Sequence, residues 1–136
     1  MTIGILLISH GALGEVVLDI AIKTLSVCPL ATRTLGIPFD SDPEAMQHTA
    51  LTLLHELDSG DGVLVLTDMF GATPSNVACT LSQQDNVLVV AGLNLPMLLK
   101  VFNYPQLALS ELAERAVEGG RQGVMLSSLS PPAALS

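Results

Sequence analysis

Tryptophan is absent from this chain, and only three Phe and one Tyr supply aromatic rings. So few flat side chains exclude a base-stacking platform for single-stranded nucleic acid. Positive charge is also scarce: five Lys and Arg face thirteen Asp and Glu, a formal net charge of −8. A protein that grips a phosphate backbone needs the opposite balance, so no nucleic-acid partner is expected. Cysteine occurs only at Cys28 and Cys79, in neither a CxxC pair nor a zinc spacing. Two reduced, buried thiols in a cytoplasmic protein are the expectation. No cluster of His, Asp or Glu has ligand spacing, so no metal is expected. There is no GxxxxGK[ST], and no GxGxxG follows an apolar run, which disfavours a nucleotide. No other cofactor is expected. No apolar run approaches the roughly 18 residues of a membrane span. Met1-Thr2-Ile3-Gly4 lacks the basic flank of a secretory signal.

What the chain does have is aliphatic mass: 49% of its 136 residues are apolar and only 13% charged. That excludes intrinsic disorder and fits one domain with a real core. The apolar excess has two readings. One is a parallel sheet covered by helices on both faces; the other adds an oligomer interface.

Short apolar runs alternate with helical spacings. Ile3 to Ile8 predicts a buried strand, and Leu13, Val16, Val17, Ile20 and Ala21 a helix after it. Ala31 to Ile37 is a more polar strand, fit for an edge. Ser41-Asp42-Pro43-Glu44 starts a second helix, with Met46, Ala50, Leu53, Leu54 and Leu57 inward. Val63 to Leu66 and Val87 to Ala91 are further strands. Thr73-Pro74 starts a helix with Thr73 as its cap, and Gly92 to Pro96 opens another. A last helix starts at Ser110 and ends at Gly119-Gly120, before a short strand from Val124 to Leu129. Strands spaced by helices imply crossover connections, hence an open three-layer α/β/α sandwich on a mostly parallel sheet.

In such sheets function gathers at the carboxyl ends of the strands. Ser9-His10-Gly11 follows the first strand, Thr67-Asp68 the third, and Gly92-Leu93-Asn94 the fourth. His10 is either a functional imidazole or a residue that caps the next helix. Asp68 is either its orienting carboxylate or the start of an Asx turn. A carboxylate on one ring nitrogen selects the tautomer and leaves the other nitrogen free to attack. Gly71 to Asn76 feeds a helix N-terminus, whose amides and hydroxyls can hold an anion without lysine. His48 and His55, on the second helix, read as solvated or partly packed. Ser9 and His10 are neighbours on an extended segment and point opposite ways, which argues against a serine triad. Met69, Phe70 and Met97 suit either a docking surface or the core.

Three segments carry a family resemblance: Ile3-Gly4-Ile5-Leu6-Leu7-Ile8-Ser9-His10-Gly11, Leu66-Thr67-Asp68-Met69-Phe70-Gly71-Ala72-Thr73-Pro74-Ser75-Asn76, and Gly92-Leu93-Asn94-Leu95-Pro96-Met97-Leu98. Together they resemble the EIIA component of the mannose family of the bacterial phosphoenolpyruvate:sugar phosphotransferase system (PTS). The resemblance implies a phosphocarrier. His10 would take a phosphoryl group from the histidine-phosphorylated carrier HPr and pass it to an EIIB component. Asp68 would hold Nδ1 of His10. Gly11, Gly71, Thr73 and Ser75 would surround the phosphoryl group, and Met69, Phe70, Asn94 and Met97 would dock the partners. It also implies a homodimer with a last strand, Val124 to Leu129, that runs antiparallel and can be exchanged between subunits. Residues 1–128 would form the EIIA domain and residues 129–136 a flexible Pro/Ala tail. The chain stops at Ser136 without an EIIB extension, so a free-standing component is expected, tied to a membrane only through a permease complex. A regulatory phosphorylation module and a carrier serving a dihydroxyacetone kinase are the alternatives.

Overall fold

A computed structural model describes residues 2–127. The elements run β1 (Gly4–His10), α1 (Leu13–Leu25), β2 (Thr32–Ile37), α2 (Pro43–Leu57), β3 (Val63–Thr67), α3 (Thr73–Leu81), β4 (Val87–Ala91), α4 (Leu95–Phe102) and α5 (Leu109–Gln122). The strands form one parallel sheet in the order β2-β1-β3-β4.

Strand burial follows position. Ile5 to Ile8 of β1 and all of β3 are fully buried, as aliphatic runs covered on both faces must be. β2, with Thr32, Arg33 and Thr34, takes an edge as its polarity predicts. Alternate residues of the central strands face opposite layers. Ile5, Leu7, Leu64 and Leu66 pack with Ala21 of α1, Leu98 and Val101 of α4, and Leu112 and Ala116 of α5. Leu6, Ile8, Val63 and Val65 pack with Ala50 and Leu54 of α2 and Val77 and Leu81 of α3. The result is the expected three-layer sandwich. The chain turns from β1 outward to β2, then returns past β1 to β3. The carboxyl ends of β1 and β3 therefore flank the point where the winding reverses, which is where open α/β sheets form their crevice.

Two sequence expectations fail here. Gly119 and Gly120 do not end α5, which continues to Gln122. They sit where α5 crosses α4: a Cβ on Gly119 would lie 2.9 Å from Lys100 Cγ, and one on Gly120 2.8 Å from Met97 Cε. Close helix approach, not helix termination, accounts for the pair. Cys28 and Cys79 are exposed rather than buried. Cys79 lies on the outer side of α3, past the inward Val77 and Ala78, and Cys28 in the turn before β2. Within the single chain residues 124–127 pair with no strand, and Val124, Met125 and Leu126 are exposed; a strand needs a neighbouring edge to pair with. The remainder of that expected strand and the 129–136 tail lie outside the described residues. Among the described residues, no helix is long and apolar enough to cross a membrane.

Candidate functional site

His10 is the last residue of β1, and Asp68 follows the last residue of β3. Because β1 and β3 are neighbours, with Ile8 beside Thr67, the two side chains meet across the crevice. Oδ2 of Asp68 lies 2.8 Å from Nδ1 of His10 and also accepts the His10 backbone N–H at 3.0 Å. The other carboxylate oxygen, Oδ1, accepts the Met69 N–H at 3.0 Å. The carboxylate is thus held through both oxygens, with its side chain only 8% exposed, and the imidazole is 27% exposed.

An ionised carboxylate can only accept. The short contact therefore puts the proton of a neutral His10 ring on Nδ1 and leaves Nε2 with its lone pair. Asp68 is tuned to stay ionised. Burial pushes its pKa up, but the His10 backbone N–H, ring hydrogen bond and charge outweigh burial, and the pKa falls below the usual 3.8. A carboxyl whose folded value is lowered stabilises the fold above its ordinary value. That contribution fades as pH falls from about 3.8 through the lowered value. Asp68→Asn is expected to be less stable than wild type near neutrality, with the gap closing in acid. Urea midpoints at a series of pH values test this, and a gap that persisted in strong acid would refute it.

Gly11 follows His10 with φ +48°, a left-handed turn that takes the chain away from the sheet without a Cβ penalty. Its N–H donates to the Ile37 carbonyl at 3.1 Å, and Gly36 lies so close to Gly11 that a Cβ there would collide with the Gly11 carbonyl. The end of β2 is thereby pinned beside His10. Ser9 points the other way: it is buried, and its Oγ accepts the Gly14 N–H at 2.8 Å at the start of α1. It is no partner for the imidazole.

Helix α3 begins one residue earlier than expected. Ala72 is the N-cap, no side chain caps it, and Thr73 is the first helical residue rather than the cap. Pro74 has no N–H, so the amides of Thr73 and Ser75 are the first-turn donors left without a helix carbonyl. Ser75 is 1% exposed, whereas Gly71 and Thr73 are more open to solvent. Beside the loop, Thr67 Oγ1 is buried with no hydrogen-bond partner among the described residues.

The four residues expected on the docking surface divide. Met69 and Phe70 are 57% and 79% exposed. Met97 is buried in the core, so its side chain meets no partner. Asn94 is the N-cap of α4: Oδ1 accepts the Met97 N–H at 2.9 Å, and Nδ2 donates to the Gly120 carbonyl at 3.1 Å. Its amide is committed to joining α4 to α5. His48 and His55 lie on α2, and neither is buried. One neighbour of the site escaped the sequence reading. Phe39, just after β2, sets its ring 5.4 Å from the His10 ring, with 31° between the planes. The signal was present in the pairing of His10 with Ile37, which only a known strand order supplies.

Residues 4–117 match the family model described as PTS system fructose IIA component. The chain is 32% identical over 127 residues to the PTS system mannose-specific EIIAB component of Escherichia coli (strain K12), covering 91% of this chain and 39% of that protein. Over 69 residues it is 42% identical to the phosphotransferase enzyme IIA component YadI of the same strain, covering 49% of this chain and 47% of that one. It therefore spans less than half the length of either relative. Among solved structures, the mannose/sorbose specific IIA subunit from Enterococcus faecalis superimposes with a TM-score of 0.85 at 27% identity, covering 98% of this chain and 100% of that one. The fold, the order of the motifs and these matches converge: this chain belongs to the fructose/mannose EIIA family.

Proposed function

We propose that the chain is a phosphocarrier that accepts a phosphoryl group from histidine-phosphorylated HPr on Nε2 of His10 and delivers it to an EIIB component. The observation that carries this reading is the 2.8 Å contact between Asp68 Oδ2 and His10 Nδ1, which leaves Nε2 as the nucleophile. In the accepting step the Nε2 lone pair forms an N–P bond while the donor's P–N bond breaks, and the donor imidazole keeps that electron pair. The product ring carries a proton on Nδ1 and the phosphoryl group on Nε2, so it is formally positive and faces the Asp68 carboxylate. Delivery runs the same exchange with the next acceptor. Such transfer is mainly positioning and charge stabilisation. In this reading the first-turn amides of α3 and the hydroxyls of Thr73 and Ser75 meet the phosphoryl charge, and Gly11 and Gly71 let the backbone come close. Met69 and Phe70 offer exposed apolar surface for protein partners.

Incubation with phosphoenolpyruvate, Enzyme I and HPr tests the reading. An acid-labile, alkali-stable phosphate is expected on the chain, and it should discharge when an EIIB is added. No label with HPr from several sources would overturn the proposal. A label that no EIIB removes would favour a regulatory module instead. The exchange takes place in the cytoplasm in this reading, with membrane contact only through the permease.

A homodimer belongs to the same reading. β4 is an edge strand of the described sheet, and Leu88, Val90, Ala113 and Val117 line a groove along it. A strand from the end of a second copy would pair with this edge and cover the groove. Sedimentation equilibrium should return twice the 14.2 kDa chain mass. A monomer at tens of micromolar would count against it.

A further inference from the structure

We infer that Phe39 is a positioning residue for His10: its ring lies against the imidazole and, with Asp68 at the ring's edge, holds the plane in which Nε2 presents its lone pair. The inference rests on the phosphocarrier reading and adds a residue to it. Phe39 is 93% exposed and has no part in the core. Its backbone is nonetheless well determined. Ile37 pairs with His10 in the β1–β2 register, and Gly11 N–H binds the Ile37 carbonyl. The ring of Pro38 fixes its own φ, and the Ser41 N–H closes a turn on the Pro38 carbonyl at 3.2 Å. Phe39 is the first central residue of that turn, so the turn projects it outward at the crevice rim.

The Asp68 hydrogen bond alone leaves the imidazole free to rock about the Nδ1 contact. A ring 5.4 Å away at 31° removes part of that freedom, because an aromatic neighbour prefers a limited set of offset geometries. The contact also acts on charge. The face of a phenyl ring attracts a cation within about 6 Å of its centroid, so it favours the positively charged imidazole over the neutral one. Phosphorylation makes the His10 ring positive, so the contact strengthens as the N–P bond forms.

The test uses Phe39→Leu, which keeps apolar bulk but has no π face, and Phe39→Tyr, which keeps the ring. Both change an exposed side chain, so the fold should persist. Two readouts are taken on the full chain. One is the pH titration of the His10 ring proton resonances, which needs no phosphate. The other is the rate of labelling from phosphorylated HPr. Phe39→Leu should displace the His10 ring resonances throughout that series and slow labelling about two- to tenfold. Phe39→Tyr should stay close to wild type in both. If Phe39→Leu titrates and labels like wild type, the inference is overturned. It fails equally if Phe39→Tyr is as impaired as Phe39→Leu. A wild-type chain that takes no label would refute the phosphocarrier reading instead, and the titration would still decide whether Phe39 governs the ring.

Discussion

Replacing His10 by Ala is expected to reduce labelling from phosphorylated HPr to background, a loss limited only by the sensitivity of the assay. The reason is geometric. His10 is the one imidazole at the crevice, with Nδ1 engaged by Asp68. His48 and His55 stand on α2, and no carboxylate contact is found for either among the described residues. Ser9, the nearest hydroxyl in sequence, is buried and turned toward α1. No second nucleophile can take over at the same rate. The substitution should leave the fold in place, since His10 ends its strand and its side chain is partly exposed. Acid-labile phosphate retained by His10→Ala at a wild-type rate would remove the basis of the proposed function.

Replacing Asp68 by Ala should slow labelling by about one to two decades while leaving it measurable. A hydrogen bond to a charged group contributes about 1.5–3 kcal/mol, and each 1.36 kcal/mol is about tenfold in rate. Two effects combine. Without the carboxylate the neutral ring has no preferred tautomer, so a share of the molecules presents a protonated Nε2 that cannot attack. The positive ring formed by phosphorylation also loses its counter-charge. Asp68→Asn separates them in part: an amide oxygen can still accept from Nδ1–H, but the negative charge is gone. It should fall between wild type and Asp68→Ala. Single-turnover labelling by rapid quench measures all three, and equal rates would show that the contact has no part in transfer.

Much of this architecture was legible in the chain. The aliphatic runs at Ile3 to Ile8 and Val63 to Leu66 announce strands buried on both faces, because no other arrangement hides side chains of both parities. Asp42-Pro43 announces the start of α2, since the aspartate oxygen accepts a first-turn amide and proline needs none. The pairing of His10 with Asp68 was foreseeable as a possibility, because both follow predicted strands. Where the chain misled, neighbours decided. Gly119-Gly120 looks like a helix stop until α4 is seen pressing on it, and Met97 looks like a surface anchor until α5 covers it. Asn94 looks available to a partner until its two amide atoms are found capping α4 and bonding α5.

The amino-acid order by itself determined the alternation of elements, the burial of the central strands on both faces, and which residues stand at the strand ends. Those features depend on periodicity and local hydrogen bonding, which act over a few residues. Only the tertiary structure decided that β1 and β3 are neighbours, that the Asp68 carboxylate reaches Nδ1 rather than capping its own turn, and that Phe39 lies against the His10 ring. These contacts join segments 58 and 29 positions apart in the chain, and strand order sets them.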